Sequence, residues 1–316
     1  MEVVRLEPLP SIARDAPSAV VTIGNFDGVH RGHQALVKAA HDRAAAGHEA
    51  CLALTFDPHP AAVLNPERAP LCLVTGPQKA ELLAALGVDV LAVLPFTSAL
   101  ASLSPADFAA GVLVGALSAR SVVVGEGFRF GMSRAGDVTE LERLGQELGF
   151  DVVAVPAVRQ DGARVSSTRV REGLLAGDVT AAAALLGRPY FVEGRVVRGD
   201  GRGRTLGIPT ANLAVENEIV PKEGVYAARV APCAGGPLRA AVVNVGRRPT
   251  FGGGPTTTEA HLLDFEGDLY DQRLRVSFVA RLRDERAFPG REALVAQIQE
   301  DVRAARRVLA QGRDGV

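Results

Sequence analysis

Cysteine is scarce in this chain of 316 residues, which has three: Cys51, Cys72 and Cys233. They are scattered, and no pair has CxxC spacing. That argues against a disulfide framework or a zinc site and fits a reducing cytoplasm. Excess charge is lacking too. The net charge is −1, without the basic surplus that marks a broad nucleic-acid or membrane footprint. We therefore expect neither nucleic acid nor membrane as a partner. No apolar run is long enough to span a bilayer. The most apolar one, 108–119, is short, carries glycines and reads as a buried helix. The opening residues MEVVRLEPLPSIARDAP lack the charged start and apolar stretch of a signal peptide. No GxxxxGK[ST] loop follows the first apolar run, and no HExxH glutamate accompanies its histidines.

What is present is an ordinary globular balance, 47% hydrophobic and 22% charged, in a chain longer than one core usually serves. Two domains are expected, 1–186 and 187–316. In the first, short apolar runs (AVVTIG, CLALTF, VDVLAVLPF, SVVVG, DVVAVPAV) alternate with helical patterns of ten or more residues. This is the pattern of βαβ units and a doubly wound parallel sheet. Pro105 suits a first helical turn, Asp137 an N-cap, and Gly149 a helix end. From Gly187 onward, segments such as VYAARV, RAAVVNV and RLRVSFVA alternate apolar with polar residues between Gly and Pro clusters. They predict an antiparallel sandwich or barrel. A last helix carries Leu294, Ile298, Val302, Ala305 and Leu309 on one stripe. The sequence sets no oligomeric state.

The first candidate site is GNFDGVHRGH, positions 24–33. Gly24 and Gly28 permit a tight turn after a buried strand, and the following helix turns unpaired N–H groups back into it. His30 and His33, three apart, share one face of a first helical turn. Two imidazoles beside free amides suit a polyphosphate and the charge that develops at an attacked phosphorus. A plain structural turn is the competing reading. TFDPHP, positions 55–60, follows the next strand and brings Asp57 and His59 to the same sheet edge, although a proline-fixed turn also explains it. In SSTRVR, positions 166–171, hydroxyls and amides at a helix start suit phosphate oxygens, with Arg169 or Arg171 as a clamp. A simple cap by Ser167 or Thr168 is the alternative.

The second candidate is VVRGDGRGRTLGIPTANL. The stretch 199–207 combines glycines with Arg198, Arg202 and Arg204, so its backbone can curl around an anion. A flexible hairpin loop is the bland reading. After Pro209, Thr210 and Asn212 alternate onto one face, where a hydroxyl and an amide suit a hard cation such as Mg²⁺. In TTTEAHLLDF, Glu259 and His261 oppose Ala260 and Leu262. A carboxylate there can deprotonate an alcohol, but Asp264, Asp268 and Asp271 compete for that role on spacing alone.

These words also resemble a known family. HRGH is similar to the HxGH signature of nucleotidylyltransferases, and SSTRVR to their SSTxxR. Together with TFDPHP, LPF…SPADF and VVGEGFRFG they resemble the adenylyltransferase half of bacterial bifunctional riboflavin kinase/FAD synthetases. RPYFVEGRVVRGDGRGRTLGIPTANL, PKEGVYAARV, VVNVGRRPTF and TEAHLLDFEGDLYDQRLRVSF resemble riboflavin kinase. The resemblance implies a nucleotidylyltransferase domain followed by a Greek-key barrel, with riboflavin, FMN and ATP as substrates, FAD as product and Mg²⁺ as cofactor. It implies that His30 and His33 hold the ATP phosphates, within a turn formed by Gly24, Asn25, Asp27 and Gly32. His59, Ser167, Thr168 and Arg171 join them, and Phe128 and Arg129 border the flavin. In the kinase half it gives Thr210 and Asn212 to Mg²⁺ and phosphate, the loop with Gly203, Arg204 and Gly207 to ATP, and Glu259 to the riboflavin 5′-hydroxyl as base. Two positions depart from the family: Gly127 where an acidic or amide residue is usual, and Asp271 where glycine is common. The alternatives are a riboflavin kinase with weak or lost adenylyltransferase, and a non-catalytic flavin or nucleotide sensor.

Overall fold

A computed structural model describes residues 1–7, 18–199, 207–247 and 256–311. The chain divides into two compact units. The first is Met1–Cys72 with Gly76–Ser166, and the second is Leu73–Thr75 with Ser167–Val316.

The first unit is built on six parallel strands: β1 (Glu2–Arg5), β2 (Ala19–Ile23), β3 (Ala50–Asp57), β4 (Val90–Pro95), β5 (Ala119–Gly125) and β6 (Asp151–Val155). Their order is β1-β4-β3-β2-β5-β6. All five residues of β2 are buried, as a β-branched apolar strand covered on both faces must be. Its connections are α1 (Arg31–Gly47), α2 (Pro60–Leu64), α3 (Gly76–Ala84), α4 (Ser98–Ala101), α5 (Pro105–Asp107) and α6 (Val138–Leu148). The apolar run after α5 continues as a π-helix, Phe108–Ala116, with Phe108, Val112 and Leu113 buried. Asp137 caps α6 by accepting from Glu140 N–H, and Gly149 ends it at φ 85°. The left-handed residue closing α1 is His48, at φ 52°. The edge strand β1 has no periodic signature and was not expected. It pairs in parallel with β4.

Chain topology decides where a ligand can enter. β2 pairs with β3 on one side and β5 on the other. The connection leaving the carboxyl end of β2 runs toward β3 and the one leaving β5 runs the opposite way toward β6, which opens a crevice between them. Gly24–His33 begins at that end.

The second unit opens with α7 (Ser167–Ala176) and α8 (Val179–Leu186), which ends at Gly187 with φ 73°. A short antiparallel pair, β7 (Arg159–Gln160) and β8 (Ala163–Arg164), precedes it in the first unit. Six antiparallel strands then close a barrel in the order β10-β13-β12-β11-β14-β9. They are β9 (Tyr190–Val197), β10 (Ala211–Val215), β11 (Gly224–Pro232), β12 (Arg239–Arg247), β13 (Thr256–Leu262) and β14 (Arg273–Arg283). Thr258, Ala260 and Leu262 are buried while Glu259 and His261 are half-buried, which is the expected period of two. A last helix, α9 (Arg291–Gln311), covers β11, whose Val225 and Ala227 pack with Ala305 and Leu309. The predicted stripe omits one member of the buried face, Asp301, which is 4% exposed. Arg283 binds it with two donors, Nε at 2.9 Å and Nη2 at 2.8 Å. Leu73, from the loop before α3, belongs to this unit. Its carbonyl lies 3.0 Å from the Tyr190 hydroxyl and accepts from Asn217 Nδ2 at 3.3 Å.

Candidate active sites

The turn after β2 is under local strain. Phe26 (φ 47°), Gly28 (φ 80°) and Val29 (φ 42°) all take positive φ. Left-handed backbone at a buried aromatic and a β-branched residue is rare and clusters at functional sites. The result is to bring the chain into α1 with His30 as its N-cap, not as a member of the first turn. His30 Nδ1 accepts the His33 N–H at 3.2 Å. The two rings stack, with centroids 3.6 Å apart and planes within 10°. Gly32 allows this, because a Cβ there would lie 3.1 Å from His30 Cε1. Phe26 meets His33 edge-on at 5.3 Å.

This geometry sets the protonation states. An Nδ1 that accepts a backbone N–H carries no proton, so neutral His30 holds its hydrogen on Nε2. Burial, followed by the charges of His30 and Lys79, lowers the His33 pKa well below the usual imidazole value. His33 Nδ1 is buried without a hydrogen-bond partner. His33 is thus held as a neutral imidazole near neutral pH.

The TFDPHP loop reaches the same place. His59 Nε2 lies 3.2 Å from the Asn25 side-chain amide, and His59 Nδ1 accepts from Ala61 N–H to cap α2. Thr55, at 2% exposure, donates to the Asn25 carbonyl at 3.2 Å. Asp27 is 3% exposed. Asp57 instead pairs with Arg5 at 3.3 Å on an exposed rim. Lys79, on α3, donates to Thr55 Oγ1 at 3.3 Å. The sequence reading passed over it, since one lysine in QKAELL reads as a solvated helix face. Phe128 stacks on Phe130 at 5.5 Å; Phe130 is core, and Phe128 packs half-buried against the same cluster. Arg129 pairs with Asp137 at 3.3 Å. A Cβ at Gly127 would meet Arg164 Nη1 at 3.0 Å, so a guanidinium stands where a side chain at 127 would begin. In the second unit, Ser167, Thr168 and Arg171 lie in the first turns of α7. Ser167 and Thr168 are therefore helical residues, not the residue ahead of the helix.

On the barrel, Glu259 pairs in register with Asn212 of β10 and Asn244 of β12. Directly opposed residues share a face, so a carboxylate sits between two amides on the outer surface. A Cβ at Gly199 would overlap the Asn212 amide, so the start of the glycine loop lies against Asn212. His261 Nδ1 lies 2.8 Å from the Pro209 carbonyl and holds the IPTAN turn against β13. A cavity of about 430 Å³ lies between this turn and α9, lined by Gly207, Ile208, His261, Ile298, Val302 and Arg303. Its volume lies within the range of small-molecule sites. Gly203 and Arg204 lie outside the described residues. Asp271, where the related family commonly has glycine, takes φ 64°, a left-handed conformation that aspartate tolerates better than most residues. For Mg²⁺ the available donors are a hydroxyl, an amide and a carboxylate, hard oxygen ligands of the right kind.

Comparison with known proteins covers both units. The sequence model of FAD synthetase matches residues 12–169, and that of riboflavin kinase matches residues 186–309. A Pseudomonas fluorescens protein named bifunctional riboflavin kinase/FMN adenylyltransferase is 45% identical over 92% of this chain and 93% of its own. The Escherichia coli K12 protein of the same name is 38% identical over 91% of each chain. A crystal structure of a Streptococcus pneumoniae protein described as a macrolide-efflux protein superposes with a TM-score of 0.88 at 32% identity. It covers 97% of this chain and 99% of that one. Among the described residues, no helix of this chain is long and apolar enough to cross a membrane.

Proposed function

The chain belongs to the family of bifunctional riboflavin kinase/FMN adenylyltransferases, and from that premise we propose how its residues divide the two reactions. Riboflavin is phosphorylated to FMN, and FMN is adenylylated to FAD with release of pyrophosphate. The adenylyl step belongs to residues 1–186 and the kinase step to residues 187–316.

In the adenylyl step an FMN phosphate oxygen attacks the α-phosphorus of ATP, and the bond to the β-phosphate oxygen breaks. The observation that carries the assignment is the stacked His30–His33 pair at the carboxyl end of β2. Neutral imidazoles donate hydrogen bonds without taking up a proton. His30 Nε2–H and His33 suit oxygens whose charge grows during the transfer, with Gly24, Asn25, Asp27 and Gly32 shaping the turn around them. His59 fixes Asn25. Ser167, Thr168 and Arg171 bind phosphate oxygens by the same amide and guanidinium chemistry. Phe128 and Arg129 border the flavin.

In the kinase step Glu259 accepts the proton of the riboflavin 5′-hydroxyl, and that oxygen attacks the γ-phosphate. Thr210 and Asn212 hold the phosphates together with Mg²⁺, which would neutralise their charge. Gly203, Arg204 and Gly207 cover ATP, and the cavity beside α9 receives the ring system. Three scattered thiols and ATP as the common substrate fit a cytoplasmic protein.

The two assignments separate cleanly in one assay. His30→Ala with His33→Ala removes FAD formation from supplied FMN and leaves FMN formation from riboflavin. Glu259→Gln does the reverse. Chromatography of flavin products reads both. A folded variant that loses both reactions would show that the sites are not separate.

A further inference from the structure

Lys79 is a half-buried cation that nothing above uses. Its ammonium has three donors. Its hydrogen bond is to a neutral acceptor, Thr55 Oγ1, at 3.3 Å. Among the described residues it forms no ion pair with a carboxylate within 4 Å, although the charges of Asp27 and Asp57 reach it. Burial is the largest influence on it and favours the uncharged form. A lysine side chain normally extends its charge into water. Here the charge is kept at the end of β3, close enough to act on His33. Thr55, which it touches, holds the Asn25 carbonyl, and Asn25 meets His59. Lys79 therefore stands inside the histidine crevice.

The crevice needs such a charge. His33 is held neutral, and the group that leaves in adenylyl transfer is a polyanion. We propose that Lys79 is a catalytic residue of the adenylyl step that binds the pyrophosphate portion of ATP and stabilises it as it leaves. The inference rests on the assignment of this crevice to adenylyl transfer. In the step, the FMN phosphate oxygen forms a bond to the α-phosphorus and the α–β bridging bond breaks. The electron pair departs with pyrophosphate, whose non-bridging oxygens accept N–H from Lys79. The lysine stays protonated throughout. Before ATP binds, its charge is partly desolvated. The arriving phosphate relieves that cost, so the interaction strengthens as negative charge concentrates on the leaving group.

The test uses the full chain in both directions: FAD from FMN and ATP, and ATP from FAD and inorganic pyrophosphate. Lys79→Met should lower kcat/KM for ATP by about 100-fold, the effect of removing one preorganised donor to developing charge. It should raise KM for pyrophosphate in the reverse direction and leave KM for FMN within about twofold. Lys79→Arg should recover part of the loss. Riboflavin phosphorylation by the same preparation should not change. Lys79→Met should also hold or raise the melting temperature, because an uncharged side chain removes the burial cost. A residue with a merely structural role would lower it. Should Lys79→Met fail to fold, Lys79→Gln and Lys79→Arg carry the same comparison. Forward and reverse constants within about threefold of the unaltered protein would overturn the proposal. His33→Ala tells this failure from that of the underlying assignment. If His33→Ala is inactive while Lys79→Met is active, only the lysine role falls. If both are active, the crevice is not the adenylyl site.

Discussion

Val29 at φ 42° and Phe26 at φ 47° hold a conformation that most side chains avoid, each at a cost of about 1–3 kcal/mol. What they secure is one imidazole folded onto the next. The same closeness makes His33 a reporter of pH. Burial, His30 and Lys79 hold its pKa well below the usual value. Below about pH 6.5 the unfolded chain therefore takes up a proton that the folded chain resists. The stability owed to this group is fully present above that pH and is lost as pH falls toward the folded-state pKa. We expect the melting temperature of the first unit to drop between about pH 7 and pH 5. In His33→Gln the drop should be smaller. Calorimetry on both proteins at matched salt measures the difference, and equal drops would exclude His33 as its source.

At the scale of elements, helices and strands are held by contacts that differ in how well the sequence announces them. Local chemistry was legible: Asp137 and Gly149 cap and close a helix where turn chemistry places them. The alternation in TTTEAHL put Glu259 outside and Ala260 inside. Contacts between distant elements were not legible. Asp301 interrupts the apolar stripe of α9 as if solvated, yet it is buried against Arg283 of β14. Lys79 was lost in the same way, because nothing local to QKAELL tells a solvated lysine from one folded into a crevice. Edge strand β1 is too short to show a period, and its pairing with β4 spans more than eighty residues. Asp301→Ala would leave the Arg283 charge uncompensated at the helix–barrel seam, which typically costs about 3–5 kcal/mol. Denaturant unfolding should show that loss. A change below about 1 kcal/mol, as for an exposed pair, would mean the seam is wet.

At the scale of the whole molecule, the order of residues along the chain and their membership of folded units disagree at one place. Leu73–Thr75 lies within the first half of the sequence but belongs to the second unit. There the Leu73 carbonyl serves Tyr190 and Asn217. The helices α7 and α8 also fold with the barrel, although the riboflavin kinase match begins only at residue 186. A gene fragment starting at codon 187 would therefore lack two helices and a borrowed strap, and would strip one acceptor from a buried amide. Losing one such hydrogen bond costs about 0.5–1.5 kcal/mol. The fragment 167–316 should melt higher than 187–316, and the intact chain higher than either, as thermal scans of the three would establish. Cutting this gene into two freely recombinable cistrons is thus penalised by the strap itself, so a kinase inherited alone would first have to replace residues 73–75.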